Sequence, residues 1–331
     1  MSGGTRRASG CLFGTAIGDA LAAPTEFMKV DEIVRRFGPD GPAEPSERVT
    51  DDTQMAIAVG EALTEAARPY TAVTVEGPLR RAFVAWCESP ENNRSPGNTC
   101  MRACMNLANP TCPWQQATVA DSKGCGANMR VQPVGLIDVD AATRAGLAQF
   151  QAALTHGHPT ALAASDLTAA AIADLAAGGT PRDLAARLIS YAYSQRCRYH
   201  ADWLGPLWQR PGIVSPEEFI QRGWDECVAV LDRLEAAVVR GDRRSDPCLA
   251  TGAGWMAEEA LATGLLCFLL FPEDPVAAVR RAAVTSGDSD SIACLTGAFA
   301  GAHLGLDAWP AEWVRRIEYA DRLSKLGRLW D

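Results

Sequence analysis

Basic charge, histidine and long apolar runs are all in short supply in this chain, and each shortage excludes something. Its 31 lysines and arginines are outnumbered by 40 acidic residues across 331 positions, for a formal charge of −9. That balance disfavours non-specific binding to nucleic acid, where neutralising phosphates dominates affinity. No apolar run reaches the roughly 18 residues of a membrane span. The strongest, residues 260–271, is shorter and follows Glu258 and Glu259, so it reads as a buried helix. Residues 1–7 contain no apolar signal region. The 4 histidines include no pair at helical i, i+4 spacing, which a helix-borne zinc hydrolase would need. Neither a GxSxG elbow nor a Walker A loop is present. The 11 cysteines are scattered, odd in number and never spaced CxxC. Cys11, Cys267 and Cys294 fall in apolar helical patterns, where cysteine serves as a small hydrophobe. Without a secretion signal they are expected to be reduced thiols of a cytoplasmic protein.

What is present is helix after helix. Thr180-Pro181-Arg182-Asp183 and Ser215-Pro216-Glu217-Glu218 each offer a capping hydroxyl, a proline at the first helical position and an acid at the third. Asp274-Pro275 opens residues 276–284 in the same way. Apolar residues then recur at three and four, as in Leu184, Leu188, Tyr191 and in Phe219, Trp224, Val228, Leu231. Residues 71–75 alone hint at a strand, and equally at a loop. Strands and helices do not alternate, and no 20–50-residue repeat appears. The pattern predicts one all-α domain over residues 1–331, with residues 1–8 as a flexible leader.

Two helices carry glycine at every fourth position: Gly10, Gly14, Gly18 and Gly297, Gly301, Gly305. Glycine inside a helix costs about 1 kcal/mol against alanine, so close helix–helix approach at the centre of a bundle is expected. Each glycine helix abuts acids, Asp19 in one and Asp288 to Ser291 in the other.

Those acids belong to two hydroxyl-flanked clusters, Thr50-Asp51-Asp52-Thr53 and Asp288-Ser289-Asp290-Ser291. Each precedes a small, apolar helical run, residues 55–63 and 292–304. Carboxylates this dense beside a buried helix are costly unless a hard cation compensates them. Oxygen donors without nearby Cys or His suit Mg²⁺, Mn²⁺ or Ca²⁺ rather than zinc. An Asp-Asp pair opening a helix is, taken singly, an ordinary dipole-friendly surface feature. If the fold joins the two clusters, they make a four-carboxylate, two-metal site.

The chain resembles the ADP-ribosylglycohydrolase family. The resemblance runs in order from Gly10 to Gly305, through the helix 10–26 ending in Glu26, Val49 to Met55, Arg94 to Cys100, Ser122 to Arg130, Thr155 to Pro159, Gly254 to Ala260 and Gly287 to Ala293. It implies an all-α orthogonal bundle around a central binuclear metal site holding Mg²⁺ or Mn²⁺. The ligands it implies are Thr50, Asp51, Asp52, Asp288, Asp290 and Ser291, with Glu26, Asp51 and Asp52 as catalytic carboxylates. Substrate contacts would come from Asn98, Thr99, Ser122, Lys123, Gly124, Cys125, Gly126, Asn128, Met129, Arg130, His156 and His158. The glycines would let backbone N–H groups approach a diphosphate, and Lys123 or Arg130 would add charge. For His158 the alternative is an N-cap before Pro159. Ser291 stands where the family commonly has threonine, keeping the hydroxyl but losing the methyl that restricts its rotamer.

The activity so implied is metal-dependent release of ADP-ribose from a modified protein, with arginine the leading linkage and antagonism of a cognate transferase a corollary. Serine and other O-linked conjugates, or a non-catalytic ADP-ribose-binding or transferase-inhibiting role, are the alternatives. Neither nucleic acid nor membrane is expected as a partner. One stretch, residues 191–224, sets Tyr191, Tyr193, Tyr199, Trp203, Trp208 and Trp224 among Arg196, Arg198, Arg210 and Arg222. It is either a recognition surface or, more simply, a packed helical corner with surface arginines.

Overall fold

The computed structural model describes residues 5–331. Within them are thirteen α-helices of eight residues or more, labelled α1 to α13 here, joined by turns and by longer loops that carry shorter helices, with no strand beyond two isolated bridges. Those used below are α1 (Arg7–Ala22), α2 (Val30–Phe37), α3 (Asp51–Glu65), α4 (Ala72–Glu88), α5 (Asn98–Leu107), α6 (Ala141–Ala153), α7 (Pro159–Ala176), α8 (Leu184–Gln195), α9 (Pro216–Arg240), α10 (Ala257–Leu270), α11 (Pro275–Ala283), α12 (Ser289–Leu304) and α13 (Ala320–Trp330). No helix among the described residues is long and apolar enough to cross a membrane.

Local chemistry sets many helix starts. Ser215 accepts from the Glu218 N–H at 3.1 Å to open α9, and Asp274 accepts from Ala277 N–H at 2.9 Å to open α11, each satisfying a donor the helix cannot. Thr180-Pro181 instead begins a 3-10 turn, Pro181–Asp183, that leads into α8. Residues 71–75 are helix start, not strand. Thr71 and Thr74 form a reciprocal capping box, and that pairing outweighs the β-branched composition. The loose leader expected over residues 1–8 is shorter where it is described: α1 already starts at Arg7. The N–H groups of Ala8 and Ser9 donate to Asp331 Oδ1 at 2.8 and 3.1 Å, so the chain's last residue caps its first helix. Residues 1–4 lie outside the described part.

At the centre, α1 and α12 pack with their backbones in near contact. A Cβ on Gly14 would fall 2.1 Å from Gly297 O, and one on Gly10 would fall 2.5 Å from Gly301 O. Gly18 meets Ala293 O, and Gly305, which ends α12 at φ +82°, also packs on α1, its carbonyl carbon 2.5 Å from where a Cβ on Gly10 would fall. Both helices are buried nearly end to end. Helices α7 and α10 complete an interior of Ala, Leu and Phe, and the apolar run 260–271 forms most of α10, as its composition predicts.

Candidate active site

Two helix N-termini meet where α1 ends. Thr50 caps α3, its hydroxyl accepting from Asp52 N–H at 3.3 Å, which places Asp51 and Asp52 in the first turn. Asp288 precedes α12, its N–H donating to Ala253 O at 2.8 Å, and Asp290 sits in that helix's first turn. Asp19, fully buried on α1, ties the assembly together. Its carboxylate accepts from Thr50 N–H at 3.0 Å, from Thr53 N–H at 3.2 Å and from the Thr53 hydroxyl. Three donors therefore hold the start of α3 against α1.

The result is one acidic cleft of about 360 Å³. Glu26, Asp288 and Asp290 bring carboxylate oxygens within 4.8 Å of one another, and Asp51, Asp52 and Ser291 line the same space. Thr50 stands just behind, its hydroxyl toward Asp290. Burial, and then the charge of Asp290, raise Glu26 and Asp51 to about 8; the same two causes raise Asp19 to about 7 and lift Asp52 well above the carboxylate range. Burial followed by the Asp290 charge also raises Asp288, and burial raises Asp290 itself. Asp52 Oδ2 and Asp290 Oδ1 are buried without a hydrogen-bond partner. Crowded carboxylates with unclaimed buried oxygens and a neighbouring hydroxyl fit a hard divalent cation.

The walls come from loops. Cys125 N–H donates to Trp255 O at 3.0 Å, pinning the Gly124–Gly126 turn. A Cβ on Gly126 would lie 2.6 Å from Cys100 Sγ, so glycine is required there by space. Asn98, Thr99, Gly124, Cys125, Gly126, Met129 and His156 all face the cavity. His156 is buried, and burial followed by the Arg130 charge lowers it to about 3, leaving a neutral ring whose Nδ1 pairs with Thr155 Oγ1 at 2.8 Å.

The other substrate candidates lie elsewhere. Arg130 is fully buried, donating to Gln151 and Thr155 and stacked 4.2 Å over Phe83. Lys123 pairs with Glu226 and Glu258 at 2.7 Å each. Neither charge lines the cleft. Asn128 is buried and donates to Ala257 O, and Ser122 Oγ meets Thr99 Oγ1 at 3.0 Å one step back from the wall. His158 caps α7, accepting from Thr160 N–H at 3.2 Å, and faces a different cavity. The 191–224 segment is also remote. Arg210 donates to Ala120 O, Gly157 O and Leu207 O, Arg196 pairs with Asp225, and Trp224 is buried, a packed corner.

The sequence patterns did not single out three features. Asp19 was visible only as an acid beside Gly18. Glu318 lies 224 positions beyond Arg94, yet it accepts from both Nη atoms of Arg94, at 2.5 and 2.9 Å, and from Val49 N–H at 3.0 Å. It thereby clamps the loop 95–97 to the first acidic cluster. Phe27, 69 % exposed with φ +64°, stacks on Trp255 at 5.3 Å and 18° across the mouth. An exposed aromatic in a left-handed conformation is a signal that only coordinates reveal.

A family model described as ADP-ribosylglycohydrolase matches residues 2–331. The chain is 25% identical over 333 residues to ADP-ribosylarginine hydrolase Tri1 of Pseudomonas putida (strain GB-1), covering 97% of this chain and 77% of that one. It is 32% identical over 170 residues to the ADP-ribosyl-[dinitrogen reductase] glycohydrolase of Rhodospirillum rubrum, covering 48% and 54%. It is 25% identical to human ADP-ribosylhydrolase ARH3, covering 94% and 89%. A solved structure titled "ADP-ribosylglycohydrolase-related protein complex" superposes with a TM-score of 0.69 at 23% identity, over 97% of this chain and 95% of that one, a likeness of fold.

Proposed function

The chain belongs to the ADP-ribosylglycohydrolase family of glycosidases, and from that membership we propose that it hydrolyses the N-glycosidic bond joining ADP-ribose to arginine on a modified protein. The observation that carries this is the meeting of Asp51, Asp52, Asp288, Asp290 and Glu26 in one cleft, from segments more than 200 residues apart. The arginine linkage is supported by the name of the Tri1 relatives, whose similarity spans 97% of the chain.

Thr50, Asp51, Asp52, Asp288, Asp290 and Ser291 would hold two divalent cations, Mg²⁺ or Mn²⁺. Such a pair, when bound, supplies neutralising charge, orientation of ribose hydroxyls and a water made more acidic. The chain's own groups do the rest. Burial, the largest cause of the raised value of Glu26, still favours a proton on its carboxyl when cations neutralise its acidic neighbours. Glu26 can pass that proton to the leaving nitrogen as the anomeric carbon–nitrogen bond breaks. Water supplies hydroxyl to the anomeric carbon and its remaining proton restores Glu26, giving free ADP-ribose and unmodified arginine. The Gly124–Gly126 turn brings backbone close to the diphosphate. Asn98 and Thr99 line the cleft, and the Phe27–Trp255 stack stands at its mouth. Such an activity would oppose a transferase acting on the same arginine. A cytoplasmic setting accords with 11 unpaired cysteines.

The test is release of free ADP-ribose from matched arginine-linked and serine-linked substrates, with Mg²⁺, with Mn²⁺ and with EDTA. Metal-dependent release from the arginine substrate is expected. Preferential release from the serine substrate would reassign the linkage, and binding of ADP-ribose without turnover would make the chain a sensor or inhibitor.

A further inference from the structure

A second cavity, of about 600 Å³, opens between α2, α11 and the loop that follows α9. Its size is that of a small-molecule site. Four arginines line it, Arg243, Arg244, Arg280 and Arg281. Among the described residues none of the four has a carboxylate within ion-pair distance. In a chain with nine more acids than bases, that concentration of unpaired guanidinium is the opposite of the average surface.

The guanidiniums are positioned rather than loose. Arg280 Nη2 donates to Ala43 O at 2.6 Å and Arg281 Nη2 to Ser245 O at 3.0 Å. These bonds hold the planes while both Nε groups stay buried and unpartnered. Arg281 is only 9 % exposed, so it forms part of the wall, and Arg243, Arg244 and Arg280 present the accessible donors. Arg243 lies 4.7 Å over the Phe271 ring, a cation–π placement. Two acids also line the cavity. Asp274 already serves as the cap of α11, and Asp40 stands on the lip beyond ion-pair reach. The floor is apolar, built from Val34, Phe271, Val276 and Val284.

Four guanidiniums face Asp40 and Asp274 in the cavity and Asp242 beside Arg281, which leaves a net positive lining that suits an anion. Arginine forks match phosphate oxygens in pairs, and the apolar floor suits an organic body. We propose that this cavity binds a phosphate monoester carrying an apolar or planar group, at a site separate from the acidic cleft. The proposal does not rest on the hydrolase reading, because it is tested by binding without turnover.

The probes are phenyl phosphate and inorganic phosphate, titrated calorimetrically into the whole chain in EDTA. One saturable site is expected, with phenyl phosphate about tenfold tighter because its ring is removed from water. Arg243→Gln/Arg244→Gln, on the exposed side where folding is not at risk, should weaken it at least about tenfold. Arg280→Gln should do the same, and Asp290→Asn should leave it unchanged. Absence of saturable binding would overturn the proposal, and equal affinity for the two probes would reduce the cavity to an adventitious ion site only. Loss of binding in Asp290→Asn with retention in the arginine variants would place the probe in the acidic cleft instead.

Discussion

Asp290 is the residue on which the cleft's electrostatics converge. Its charge contributes to the raised values of Asp19, Glu26, Asp51, Asp52 and Asp288. Two opposite consequences follow for Asp290→Asn. Without divalent cation at pH 8, the variant should melt at a higher temperature than the parent, because the shared repulsion is relieved while the side chain keeps its shape. With cation, turnover should fall by on the order of 10³-fold if Asp290 is the cation ligand proposed above. Parallel thermal melts and release assays read both, and a variant that melts no higher in EDTA would show that the carboxyls are already neutral. Glu26→Gln makes a complementary case. It should lower kcat about 10²-fold through loss of proton transfer, with cation affinity, measured by calorimetry, nearly retained.

Among the elements, the α1–α12 contact sets the geometry of everything downstream, since Asp19 leaves one helix and Asp288 to Ser291 open the other. Gly14→Ala should cost about 3 kcal/mol or more, because its Cβ would overlap backbone that cannot yield. Gly77→Ala, in α4, would meet Arg81 only at its flexible end, but it precedes Pro78 inside the helix, whose ring crowds a preceding helical residue that has a Cβ, so the change should be neutral or cost less than about 1 kcal/mol. Urea unfolding of the two variants separates a glycine needed for packing from one that is merely tolerated. Capping made several of these helices legible: Ser215 and Asp274 are short polar residues that take up donors within their own turn. The same local logic misled at residues 71–75, where β-branched composition masked a capping box between two threonines. Nothing local distinguishes Arg130 and Lys123 from substrate-binding cations. Whether a charge faces a cleft or an internal acceptor depends on Gln151, Thr155, Glu226 and Glu258, all distant along the chain.

For the whole molecule, the raised carboxylates make stability depend on pH. A carboxyl with a raised folded value keeps its proton in the native state after the unfolded chain has lost it, so the native state binds more protons in that window. Stability then falls as pH rises. For Asp19, Glu26 and Asp51 the window runs from their ordinary values of 3.8 to 4.5 up to about 7 or 8. The melting temperature in EDTA should therefore decline steadily between pH 5 and pH 8. Adding Mg²⁺ at pH 8 should recover it, since a ligand of the native state stabilises by mass action. A flat profile in EDTA would contradict the electrostatic account of the cleft.

The sequence by itself determined the helical class, several helix starts, the glycine pairing of two central helices and the identity of the clustered acids. All of these are written in short-range patterns: a cap and its donor, an apolar period, a glycine repeat, adjacent carboxylates. Only the tertiary structure decided which groups share the cleft. Asp19 and Glu318 act as braces because chain segments far apart in sequence come together there, and Phe27 meets Trp255 across 228 positions. The arginines of the second cavity emerge as unpaired for the same reason. Charge pairing and burial are properties of neighbours in space, and a linear sequence specifies those neighbours only through the fold.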